Sequence, residues 1–106
     1  MQTYIFYIFS NYHRTVLSTG VTTNVQRKIR DFAREEDSDS DFGRYNNFYL
    51  VYYEAFGNIR EALDRNEEVK SITRAEQDAI ILGANPGWKS LNNVFWGEDY
   101  WGVVTK

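Results

Sequence analysis

The stretch Val51 to Lys70, VYYEAFGNIREALDRNEEVK, is the one around which the chain is organised. Val51 to Phe56 is apolar and aromatic, as a buried strand requires. Gly57 and Asn58 break that run, and Asn58 with Glu61 three positions later has the pattern of a capping box that opens a helix. Ile59, Ala62, Leu63 and Val69 form its apolar stripe. Asn66 follows Ile59 by seven positions and so falls on the same inward face. A polar side chain there is either hydrogen-bonded in the interior or turned into a cleft.

Upstream, Phe48 to Phe56 reads as the third strand. Tyr4 to Ser10, YIFYIFS, is apolar at consecutive positions and predicts a strand covered on both sides. Asn11 to Arg14 is a turn carrying an exposed His13, and Thr15 to Thr22 is the partner strand of a hairpin. Asn24 caps a helix running to about Glu36, with Val25, Ile29, Phe32 and Ala33 as its apolar stripe and Arg27 and Lys28 beside it. The polar segment 35–43, EEDSDSDFG, is a loop. Downstream, Thr73 and Glu76 repeat the capping pattern for a third helix that carries Ala79, Ile80 and Ile81 and ends near Gly83. Pro86 stops any continuation. The order β-β-α-β-α-α predicts an α+β fold, a three-stranded antiparallel sheet flanked by helices. Residues 1–91 form this domain. Residues 92–106 form an aromatic tail, with Trp96, Tyr100 and Trp101, that packs on the domain or binds a partner.

A chain of 106 residues supports one modest core. It has no cysteine, which excludes a disulfide framework, a thiolate metal site and a cysteine nucleophile. His13 is its one histidine, a poor basis for a zinc site. No apolar run reaches membrane-spanning length, so a soluble cytoplasmic protein is expected. The net charge is −3, and six acidic residues between Asp31 and Asp41 (Asp31, Glu35, Glu36, Asp37, Asp39, Asp41) face only Arg34. A surface built to hold a phosphate backbone has the opposite bias. Such a stretch is a solvated loop, or an acidic face for a basic partner.

Several segments, in order, resemble the GIY-YIG nuclease superfamily, especially its small single-domain bacterial members. YIFYIFSN is similar to the first family strand, with Tyr7 as the GIY tyrosine. TVLSTGVTTNVQRKI resembles the second motif and the helix after it. RYNNFYLVYYEAF resembles the third strand and its approach. EALDRNEEVK resembles the helix that carries the family's metal-binding glutamate, and ANPGWKSL the closing Asn-Pro-x-Trp segment, with Asn85 at the asparagine position.

The resemblance implies a chemistry in which a tyrosine helps activate the nucleophile, an arginine stabilises charge on the phosphoryl oxygens and a glutamate holds Mg²⁺ or Mn²⁺. Tyr7 is kept here. Ser18 stands at the YIG tyrosine and cannot place a phenolic oxygen. Lys28 stands at the arginine and lacks its bidentate fork; Arg27 points about 100° away around the helix. Phe32 takes a position often held by histidine or tyrosine. Asn66 replaces the glutamate, and a neutral amide is a weak ligand for a hard cation. Glu67 and Glu68 are rotated out of register.

No catalytic set is therefore intact, and no metal or other cofactor is expected unless nuclease activity survives. The first reading is a catalytically inactive domain that binds a protein, as inhibitor, immunity factor or adaptor, through Glu35, Glu36, Asp37, Asp39, Asp41, Trp96 and Trp101. The second is a nucleic-acid-binding domain using Arg27, Lys28, Arg30 and Arg44, which the acidic balance disfavours. The third is a residual metal-dependent DNA endonuclease using Tyr7, Lys28 and a displaced Glu67. Under the first reading, Asn66 and Ser18 would plug the old cleft with hydrogen bonds and packing.

Overall fold

The computed structural model of the chain describes residues 2–35 and 48–95. Its first strand, β1 (Tyr4–Ser10), is also the central one, because neither apolar face of YIFYIFS can be left in water. β2 (Leu17–Thr22) pairs antiparallel with it from Ile5↔Thr22 to Ser10↔Leu17. β3 (Tyr49–Phe56) pairs antiparallel on the other side, giving the order β2-β1-β3. The register shifts between Ile8 and Phe9, leaving Val51 as the extra residue of a bulge.

Helix α1 (Val25–Glu35) covers one face of this sheet. Its Val25 and Ile29 pack with Ile5, Tyr7, Phe9, Phe48 and Leu50. Helices α2 (Ile59–Ser71) and α3 (Arg74–Ala84) lie on the other, where Phe6, Ile8 and Val51 meet Val69, Ile81 and Trp88. The α+β architecture is the one expected.

Local details depart from the expectation in ways that have physical causes. β2 begins at Leu17 rather than Thr15. The Asn11 side chain takes the intervening backbone, its Oδ1 accepting from Thr15 N at 2.8 Å and Val16 N at 3.0 Å. The expected capping box forms at α3, where Thr73 and Glu76 satisfy each other's backbone N–H groups. At α2 the cap is a single bond, from Arg60 N to Asn58 Oδ1 at 2.7 Å. The bond reaches the second helical residue instead of the third, where Glu61 sits.

The stripe of α2 also differs. Ile59 and Leu63 are 49% and 46% exposed, whereas Ala62 and Val69 are fully buried. The inward line is Ala62, Asn66 and Val69. Asn66 points inward as expected, but as a neighbour of these two and not of Ile59. Replacing Ile59 or Leu63 by glutamine is therefore expected to change stability by no more than about 0.5 kcal/mol. Val69→Ala should cost about 1–3 kcal/mol, and urea denaturation of the three variants checks the contrast.

A clamp fixes the other flank of α2. Arg65 Nε meets both carboxylate oxygens of Glu54 on β3, at 3.2 and 3.1 Å, and its Nη1 meets Glu68 at 2.5 Å. Tyr52 Oη donates to Glu54 as well. Glu54 and Arg65 are each a quarter exposed, so their pairing is less screened than a surface ion pair. The sequence offered a hint: a glutamate inside the strand YLVYYEAF needs a partner.

At the far end, Arg74 of α3 donates to the Thr15 carbonyl at 3.0 Å and to the Arg14 carbonyl at 2.6 Å. Arg14 adopts a left-handed φ of 60° and places its guanidinium over the Trp88 ring, 5.6 Å from the centroid. Helix α3 thus grips the first turn.

Candidate functional site

Tyr7 sits mid-strand in β1, directly opposite Gly20 of β2. Its buried ring lies across that glycine so closely that a Cβ there would be 2.4 Å from the phenol oxygen and 2.7 Å from Cζ. Phe9 meets it edge-on at 5.2 Å between ring centroids. Ser18 lies opposite Phe9, so Tyr7, Ser18 and Gly20 share the face that α1 covers.

On α1, Lys28 is half-buried and Arg27 and Arg30 are exposed. Asp31, a turn beyond Lys28, faces Tyr7 electrostatically. Burial first, and the Asp31 charge second, raise the Tyr7 phenol above its ordinary pKa. That is the wrong direction for a general base at neutral pH. The neutral phenol is the form the fold favours, so its contribution to stability persists through neutral pH and fades as pH rises through the raised pKa. Alkaline titration followed at 295 nm should show late ionisation of Tyr7 and of Tyr52, whose phenol is raised by burial and by its bond to Glu54, and Tyr7→Phe should remove one of the two late steps.

Asn66 arrives from the opposite side of the sheet, on α2. Its amide oxygen is buried and has no hydrogen-bond partner. The hydrogen-bonded plug expected at this position is therefore not what forms. Arg65, one position earlier, is turned toward β3, which leaves Asn66 on the flank away from the clamp. β2 is the strand that the two halves share: Tyr7 covers its Gly20, and α2 packs against it.

Asn85 stands apart from both. It is buried at the end of α3, where its side chain donates to the carbonyls of Val51 at 3.0 Å and Lys89 at 2.9 Å and accepts from Lys89 N at 3.1 Å. These bonds make it a structural lock. Arg44, Glu36, Asp37, Asp39, Asp41, Trp96 and Trp101 lie outside the described residues, as do the side chains of Phe32, Ala33 and Glu35.

The profile of the GIY-YIG catalytic domain matches residues 3–78. The chain belongs to the GIY-YIG family. It is similar to a UPF0213 protein of Natronomonas pharaonis, 34% identical over 65 residues that cover 61% of this chain and 75% of that one. A UPF0213 protein of Haloquadratum walsbyi is 36% identical over 64 residues, 60% of this chain and 71% of the relative. The solution NMR structure of a UPF0213 protein from Bacillus halodurans matches with a TM-score of 0.54 at 25% identity, covering 91% of this chain and 97% of that one.

Within the GIY-YIG frame the close approach of Tyr7 to Gly20 ties the first motif to the second, since only glycine leaves room for the ring. The divalent cation implied by the family does not fit the donors at its position. Asn66 offers one neutral amide oxygen. Glu67 is exposed, one helical step away, and Glu68 is exposed and bonded to Arg65. Among the described residues no group of three His, Cys, Asp or Glu side chains comes together. Asp31, which the sequence presents only as the start of the acidic stretch, lies three residues after Lys28 on a neighbouring part of the same helix surface.

Proposed function

We propose that this GIY-YIG domain acts by binding and not by cleaving phosphodiesters, with a protein as its partner in an inhibitor, immunity or adaptor role. One observation carries the reading: at Asn66, which the sequence resemblance sets at the family's glutamate position, the buried side-chain oxygen is a neutral amide without a partner. Ser18 in place of the second tyrosine and Lys28 in place of the arginine support it, as does a tyrosine environment that disfavours the phenolate. The net charge of −3 favours a basic partner over a phosphate backbone.

The test is a cleavage assay on single-stranded, duplex and branched DNA and on RNA, with Mg²⁺ and Mn²⁺ separately and with a chelator control. No cleavage in any arm is expected. Chelator-sensitive cleavage lost in Tyr7→Phe would overturn the reading.

A second reading keeps nucleic acid as the ligand without the chemistry. Its support is the pair of exposed arginines, Arg27 and Arg30, on the helix beside Tyr7. Under it, binding to DNA or RNA weakens steeply with salt, and Arg27→Ala flattens the slope. Absence of binding at low ionic strength removes this reading.

A further inference from the structure

The misfit between the family's cation and this chain's residues is confined to one position of a well-held helix. Ala62 and Val69 anchor α2 on either side of residue 66, each fully buried. Arg65 ties the same turn to β3 through Glu54 and to the following turn through Glu68. The direction of the side chain at 66 is thus set by its neighbours and not by bonds of its own. Its oxygen is buried without a donor, so packing has not turned the position into ordinary core.

From this we infer that residue 66 alone decides whether the domain holds a divalent cation, and that asparagine there excludes the ion. A hard cation is held by anionic oxygens, which must offset the loss of its hydration shell. The asparagine amide supplies a dipole and no charge. Glutamate keeps the same inward direction, adds one methylene of reach and supplies the charge. Glu67 cannot substitute, because one helical step turns it by about 100° into solvent. The inference deepens the binding-only reading and rests on it for the identity of the position.

The experiment uses the full chain and Mn²⁺ alone as the probe. Wild type, Asn66→Glu and Asn66→Asp are compared in ¹H–¹⁵N NMR spectra during Mn²⁺ titration, and in melting curves with and without Mn²⁺. A cooperative melt verifies that each variant is folded. Paramagnetic broadening centred on residues 62–69 reports a site at position 66 and separates it from loose binding elsewhere. Expected is saturable broadening there in Asn66→Glu, at least tenfold tighter than any in wild type, with a melting temperature that rises with Mn²⁺ only in the variant.

Saturable binding at these residues in wild type overturns the inference, as does its absence in folded Asn66→Glu and Asn66→Asp. The wild-type arm stands even if a variant does not fold. Because Ser18 and Lys28 are unchanged, Asn66→Glu should bind Mn²⁺ without cleaving nucleic acid. Cleavage by that variant would show only that Ser18 and Lys28 do not block the chemistry; cleavage by the wild type would overturn the binding-only reading, whereas the Mn²⁺ titration alone decides this inference.

Discussion

Gly20→Ala is expected to destabilise the domain by about 1–3 kcal/mol, a large effect for a single methyl group. The added Cβ would fall 2.4 Å from Tyr7 Oη and 2.7 Å from Cζ, well inside van der Waals contact. Only the strand or the ring can yield. Six bridge partners fix the register of β1 and β2, so the strand resists. The ring is held by Phe9 and by the cluster of Ile5, Val25, Ile29 and Leu50 beneath α1. Overpacking therefore spreads into the α1 face. Tyr7→Leu in the same chain should recover part of the loss, because it removes the atoms that clash. A double-mutant cycle read by urea denaturation measures the coupling. If Gly20→Ala alone proves as stable as wild type, the close approach of ring and glycine is not as described.

Asn85→Ala is expected to cost about 2–4 kcal/mol. The side chain is buried and makes three hydrogen bonds, to Val51 O, Lys89 O and Lys89 N. Each is worth about 1 kcal/mol net, and groups left without a partner add a desolvation penalty. The same residue organises the turn after α3, since its carbonyl accepts from Trp88 N at 3.0 Å while Trp88 takes a left-handed φ of 50°. Losing the turn loosens Trp88 from the core shared with Phe6 and Ile8. Asn85→Asp should be at least as damaging, because it points an acceptor at two carbonyl oxygens. A thermal melt of both variants decides the matter: two melting temperatures within a degree of wild type would remove Asn85 from its structural role.

Much of the fold was legible because local signals agreed with one another. β1 was readable to the residue, since a run with no polar face fits only a covered strand. Asn24, Asn58 and Thr73 each marked a helix start, for side-chain oxygens at these points satisfy free N–H groups. What misled was the stripe of α2. Ile59, Ala62, Leu63, Asn66 and Val69 fall within an arc of about 120°, and periodicity alone does not say which edge of that arc meets the sheet. The answer depended on the Arg65–Glu54 pair, a contact across eleven residues. The effect of Asp31 on Tyr7 was hidden for a similar reason: the acidic stretch shows the charge, but its meaning comes from a residue on another element. Asn66 was correctly placed inward, but that its oxygen would lack a donor follows from the packing around it and not from the helix pattern.

The central position of β1 has a consequence for the order in which the molecule is built. This strand is synthesised before both of its neighbours, and β2 joins it after a short turn. Its other neighbour, β3, begins only at Tyr49, and Ile81 and Trp88, which cover Phe6 and Ile8, come later still. Closing so long a loop is entropically slow, and an apolar strand waiting for its second edge is exposed to aggregation meanwhile. Arg74 can close its bonds to Arg14 and Thr15, about sixty residues back, only once nearly the whole domain has been synthesised. The hairpin is made before the elements that cover it and is among the last parts of the domain to be sealed.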